Sequence, residues 1–226
     1  MEAGMALTAD IRRAYTDGGT KTVITRSLRK LVRPAVKVGT LVFAESDFSL
    51  PFPELRPVPG IIAREATVED VRLFEDQELF LDRLNQGHRC FMGIEENTGK
   101  LTNYRWVSTT AAFVPELRRY LILKPGEAYI YDLNTLPEFR RRGIDAFTRH
   151  YTYGYLRDTG YKRGLAYIHG DNKPSLRASR HLLKPFCRIL YVQFRGCFPL
   201  MFAASGTRIP ELRRLEDLMS SPGSVV

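Results

Sequence analysis

Apolar residues change their period several times along this chain, and each change marks an element. Over residues 8–35, Ile11, Val23, Ile24, Leu28, Leu31 and Val32 lie among Arg12, Arg13, Lys21, Arg26, Arg29, Lys30 and Arg33. The spacing predicts one or two basic amphipathic helices, interrupted at Gly18 and Gly19 and ended by Pro34. Residues 50–60 then hold four prolines in eleven residues, a density that fixes an extended chain and forbids helix. The pattern therefore divides the chain into a basic helical extension with its linker (1–57), a folded domain (58–204) and a tail (205–226).

Within the domain the periods alternate. Strands are expected at 61–65, 89–95, 101–107, 128–135, 165–169, 187–194 and 198–202, where apolar residues follow a period of two or form short unbroken runs. Two helical segments fall between Thr67 and residue 87, with Glu69 and Asp70 at their start and Val71, Leu73, Phe74, Leu79, Phe80, Leu81 and Leu84 as the apolar face. Further helices are expected at 147–159, closed by Gly160, and at 175–183. The order β-α-α-β-β-β-α-β-α-β-β predicts an α/β fold, a single mixed β-sheet flanked by helices. Residues 111–124 read as an insertion between strands. It carries Phe113, Glu116, Arg118, Arg119 and Tyr120, and loops on a rigid scaffold carry specificity.

Composition narrows the class. Apolar residues make up 44% and charged residues 26%, a balance that globular chains share. No apolar run nears the roughly 20 residues of a membrane-spanning helix. The first ten residues contain two acids and no basic cluster, so they do not read as a secretory signal, and the cytoplasm is expected. Cys90, Cys187 and Cys197 are widely spaced and read as small core hydrophobes. His88, His150, His169 and His181 show no metal-ligand spacing, so no metal is expected. Charge is uneven: residues 1–40 hold eight bases and three acids, while residues 172–210 hold seven bases and no acids. Two basic blocks point to an anionic partner.

The sharpest local signal is 133–147, where a strand runs into a short loop rich in Arg and Gly and a helix follows at once. Main-chain N–H groups at a helix start are unpaired and carry partial positive charge, the geometry that binds pyrophosphate. Gly143 permits close approach, and Arg140, Arg141 and Arg142 add fixed charge against the helix dipole.

These residues resemble the acyl-CoA signature of the GNAT superfamily of N-acetyltransferases, Gln/Arg-x-x-Gly-x-Gly/Ala. Arg140, Arg141, Arg142, Gly143, Ile144 and Asp145 fill the six places, with Asp145 where the family prefers Gly or Ala. Asn172 and Ser175 resemble the second signature, an Asn followed by a small residue and a helix beside the cofactor. The tyrosine that commonly serves as general acid in the family's fourth helix is absent, and Ser179 falls near its place.

The resemblance implies an acyltransferase that moves an acetyl or longer acyl group from acetyl-CoA or another acyl-CoA to an amine, by direct attack on the thioester. It implies that main chain at Leu133, Asn134 and Thr135 pairs with the pantetheine arm. The family's usual position for a general base holds Tyr129, and Glu127 lies two residues earlier on the same face. Glu127 is thus the candidate base, and Tyr129 and Tyr131 are candidate donors to the leaving thiolate. The acceptor is expected to be a small-molecule amine or a peptide. The basic 172–210 block would also suit acyl carrier protein as donor. The competing reading is a non-catalytic module of the same fold that binds RNA or an anionic membrane, with residues 8–35 as the peripheral membrane contact. The chain shows no RNA-binding signature, which disfavours nucleic acid, and the 8–35 stripe lacks the bulky aromatics that favour membrane surfaces.

Overall fold

The computed structural model describes residues 36–50, 57–204 and 208–219. The basic helices predicted over 8–35 lie outside the described residues. Eight strands make one mixed sheet: β1 (Val36–Asp47), β2 (Ile61–Glu65), β3 (Arg89–Glu95), β4 (Leu101–Ser108), β7 (Glu127–Thr135), β8 (Arg163–His169), β9 (Lys184–Phe194) and β10 (Leu200–Ala203). Their spatial order is β10-β9-β1-β8-β7-β4-β3-β2, and every pairing is antiparallel except β7 with β8. The mixed α/β sheet expected from the sequence is the fold observed.

Two features differ from the expected layout. Strand β1 precedes the proline-rich stretch, yet it sits in the sheet between β8 and β9. The unit 58–204 therefore lacks one of its internal strands. Leu41, Val42, Phe43 and Ala44 are all at most 2% exposed, because a strand covered on both faces needs apolar residues at every position. The second difference is residues 111–124. They form a hairpin, β5 (Ala111–Val114) and β6 (Arg119–Ile122), which pairs with β11 (Leu212–Arg213) from the tail.

The flanking elements divide between the two faces of the sheet. Helix α1 (Gln77–Asn85), capped by Asp76 accepting from the Leu79 amide at 2.9 Å, packs Phe80 against Cys90, Met92 and Trp106. The β5–β6 hairpin lies on the same face, where Val114, Leu117, Leu121 and Leu123 close over Leu41, Phe43, Tyr129 and Leu165. On the other face, helix α2 (Ile144–Asp158) buries Tyr153 and Leu156 against Phe48, Phe91, Val107 and Ile130. Helix α3 (Lys173–Ser179) follows β8, and α4 (Leu215–Met219) follows β11. Cys90 and Cys187 are buried as expected, whereas Cys197 is exposed. Among the described residues, no helix is long and apolar enough to cross a membrane, and no group of three metal-ligating side chains converges.

Candidate acyl-donor slot and acceptor cavity

The parallel pairing of β7 with β8 is brief. Glu127 faces Arg163, Ala128 faces Gly164 and Tyr129 faces Leu165, and there the ladder stops. Beyond it, β7 runs to Thr135 on β4 alone, while β8 runs to His169 on β1 alone. Two strand edges thus diverge, and each presents main-chain groups that the sheet does not pair. The divergence is helped by an irregularity in β7: the register against β4 shifts between Tyr104 and Trp106, and Asp132 takes φ 47°. Arg83 on α1 holds the Asp132 carboxylate.

The slot leads directly to the arginine loop. After β7, a single 3-10 turn (Pro137–Phe139) passes into Arg140, Arg141, Arg142 and Gly143, all exposed. Arg141 and Gly143 adopt φ 64° and 76°, so the peptide groups alternate in direction and their N–H groups can converge on one point. Gly143 occupies the N-cap of α2 and offers no side-chain oxygen, which leaves the first-turn N–H groups uncapped. A Cβ there would meet nothing within 4 Å, so the left-handed conformation is what calls for glycine. Arg140 Nε donates to the Thr135 carbonyl at 2.9 Å, and Arg142 lies over the Phe139 ring at 5.4 Å, which fixes two of the three arginines.

Asp145, the departure from the family signature, turns away from this loop. Its Oδ1 accepts from Arg105 Nη2 at 2.8 Å and its Oδ2 from Arg149 Nη2 at 2.9 Å. The Arg105 side chain has no exposure, and burial pulls its guanidinium below the ordinary value while the Asp145 charge opposes that shift. The carboxylate is thereby neutralised by two cations and serves the interface of α2 with β4.

Two polar clusters flank the mouth of the slot. On the β8 wall, Tyr167 Oη donates to Glu116 Oε2 at 2.9 Å, and His169 Nε2 meets Glu116 Oε1 at 2.9 Å. Glu116 reaches them from the loop of the β5–β6 hairpin. On the β7 wall, the Tyr131 hydroxyl meets His88 Nδ1, and the His88 ring also donates to the Ala111 carbonyl. Burial lowers the His88 pKa, which keeps this ring neutral at pH 7, so it accepts the Tyr131 proton. The Tyr131 oxygen is left with lone pairs to offer. Tyr129 lies between the walls, stacked on Tyr131 at 5.2 Å and on Tyr167 at 6.2 Å, and burial raises its phenol well above the usual value.

Next to Tyr131 and His88 a cavity of about 650 Å³ opens between α1, the hairpin and the segment around Phe198 and Arg214. A second, of about 250 Å³, lies on the other side of Arg83, against Tyr104, Trp106 and Asn134.

The sequence-expected residues fall into distinct places. Tyr131, Leu133, Asn134 and Thr135 lie on the diverging part of β7, and Arg140 to Ile144 form the loop and helix start. Asn134 bonds the Tyr104 hydroxyl. Glu127 sits at the closed end, where its carboxylate accepts from the Lys124 amide at 3.1 Å and faces Arg163 at 3.5 Å. Tyr131 lies four positions further along β7, roughly 13 Å of strand. Asn172 caps α3 by accepting from the Ser175 amide at 3.1 Å. Sequence reading missed the roles of His88, Tyr167 and His169 and the partner of Glu116. The signal available for two of them was the alternation of Leu165, Tyr167 and His169, which puts both polar rings on the face of Tyr129.

No protein-family model and no curated protein matches the chain. Solved structures do. A GCN5-related N-acetyltransferase from Sphaerobacter thermophilus aligns with TM-score 0.51 and 13% identity, over 78% of this chain and 57% of its own. A tandem GNAT protein from the clavulanic acid biosynthesis pathway aligns with TM-score 0.52 and 14% identity, over 76% and 59%. A Drosophila protein aligns with TM-score 0.50 and 12% identity, over 75% and 57%. The chain thus spans less than three fifths of these neighbours. Diverging parallel strands, the glycine-capped helix and these alignments together give the chain the fold of the GCN5-related N-acetyltransferases.

Proposed function

We propose that the chain transfers an acyl group from an acyl-CoA to an amine. The observation that carries this reading is the continuous path from the open β7–β8 edges to the uncapped start of α2, with Asp145 drawn aside onto Arg105. Main-chain groups of Leu133, Asn134 and Thr135 would hold an extended amide-bearing arm, as an added strand does. The N–H groups from Arg141 to Asp145, with the Arg141 and Arg142 guanidinium groups, would hold a diphosphate.

The bound donor would supply an electrophilic thioester carbonyl and a thiolate leaving group. At the mouth of the slot, His169 is the proton carrier. Glu116 fixes its Nε2–H and leaves Nδ1 bare to accept, the arrangement by which a carboxylate orients an imidazole base. His169 Nδ1 takes one proton from the amine as the nitrogen–carbon bond forms. The resulting imidazolium passes that proton to the leaving sulfur as the carbon–sulfur bond breaks, so the amide and a free thiol are the products and the transfer is balanced within the site. The Tyr131 oxygen accepts from another N–H of the amine and positions it. Glu127, engaged in the turn at the closed end, is remote from this chemistry.

Gly143→Glu tests the reading. The substitution puts a carboxylate at the anion site, in space that is empty of protein. Acetyl-CoA affinity measured by calorimetry should fall at least about 100-fold, which is about 2.8 kcal/mol, with the cooperative unfolding transition kept. Undiminished affinity would remove the loop from the donor site.

A further inference from the structure

We infer that the 650 Å³ cavity selects amine acceptors whose far end carries an oxyanion, a carboxylate or a phosphate, gripped by Arg118 and Arg214. The transferase reading underlies only the amine end of this assignment. At the inner end, the Tyr131 hydroxyl donates a hydrogen bond to His88 Nδ1, which leaves its oxygen lone pairs for an N–H donor.

The outer end calls for the opposite. The guanidinium carbons of Arg118 and Arg214 lie 4.7 Å and 4.8 Å from the centroid of one ring, Phe198. Neither guanidinium forms an ion pair among the described residues, although the Arg214 amide donates to Asp217 Oδ2 at 3.1 Å. The bond from Arg118 Nη1 to the Cys197 carbonyl is long at 3.5 Å, so most of the forked donors remain available. An oxyanion reached by either guanidinium would gain charge-assisted hydrogen bonds. Planar forked donors suit an oxyanion.

The placement of Arg118 is built into the backbone. It holds φ 49°, a left-handed conformation that costs a non-glycine residue energy, and the preceding Leu117 is anchored in the core with no exposure. The lining also carries two acids, Asp82 and Glu216, but neither forms an ion pair with Arg118 or Arg214. Arg83 is bound to Asp132, Asp82 accepts from Gln86 Nε2 at 2.7 Å, and Glu216 is exposed at the rim. Between the two ends, Phe113 and Tyr120 lie against each other at 5.2 Å and offer an aromatic wall. The fitting acceptor is an amine with an apolar middle and an anionic end.

Two matched pairs of probes test this on the full chain by calorimetry, with and without acetyl-CoA. One pair is phenylalanylglycine and its C-terminal amide; the other is O-phosphotyramine and tyramine. At least one anionic member should bind about tenfold or more tightly than its neutral mate, as expected for charge-assisted hydrogen bonds. Which pair shows the preference identifies carboxylate or phosphate. Arg118→Gln combined with Arg214→Gln should abolish the preference, and each single variant should weaken it. Equal binding within both pairs, no binding by any of the four, or a preference that survives in the variants overturns the assignment. Loss of acetyl-CoA binding with the preference intact would instead sink the transferase reading and leave the anion site standing.

Discussion

The main sheet is two half-sheets joined at only three residue pairs, and the halves contribute differently. The half from β2 to β7 delivers main chain: an unpaired strand edge and the bare amides of a helix start. The half from β8 to β10, with the hairpin folded over it, delivers side chains: Tyr167, His169 and Glu116. Recognition by main chain needs a particular backbone conformation, so it is encoded in a few adjacent residues. Proton transfer needs particular side chains at one point, and these come from segments far apart in sequence.

That contrast can be broken from either side. The largest effect should come from the side-chain half. His169→Gln is expected to reduce turnover of any accepted amine by roughly 100-fold to 1,000-fold, the usual range for a lost acid–base group, while acetyl-CoA affinity stays within about twofold. Steady-state kinetics beside donor titration separates the two, and a parallel fall in donor affinity would make His169 structural. In the main-chain half, Asp145→Ala should cost about 3 kcal/mol of stability because it strands the buried Arg105 charge. Thermal unfolding would show this as a drop of roughly 6–12 °C. The smallest effect concerns pH at the seam. Burial holds His88 below the ordinary imidazole value, so its contribution to folding is complete above that of the free side chain, about 6.5, and is lost as pH falls through it. Acidification should therefore weaken folding and release Tyr131 together, and His88→Asn should remove that part of the acid sensitivity seen in pH-dependent melts.

The same contrast explains what the sequence revealed. The loop at 140–143 was legible because glycine, arginines and the helix start lie within a few residues. The strand order from 61 to 135 was legible because adjacent strands are also consecutive in the chain or separated only by the hairpin. Strand β1 was not. Its Leu41–Ala44 run is apolar at every position, which shows no amphipathic period, and the proline-rich stretch after it suggested a boundary. Its place depends on pairing with strands more than a hundred residues later. Glu127 was the acid nearest the expected base position, but only the fold shows that the strand carries it to the closed end. The link between Glu116 and His169 depends on how a hairpin folds over a sheet, which neither segment encodes alone.

Four residues, Pro115 to Arg118, turn the hairpin. Glu116 faces the β8 wall, Arg118 faces Phe198, and Leu117 pins the bend between them. On the proposed function, reactivity and substrate choice would be mechanically ganged in one short turn. Any reshaping of it to admit a new acceptor would also move the carboxylate that aligns the imidazole, so a change of diet here would come with a change of pace.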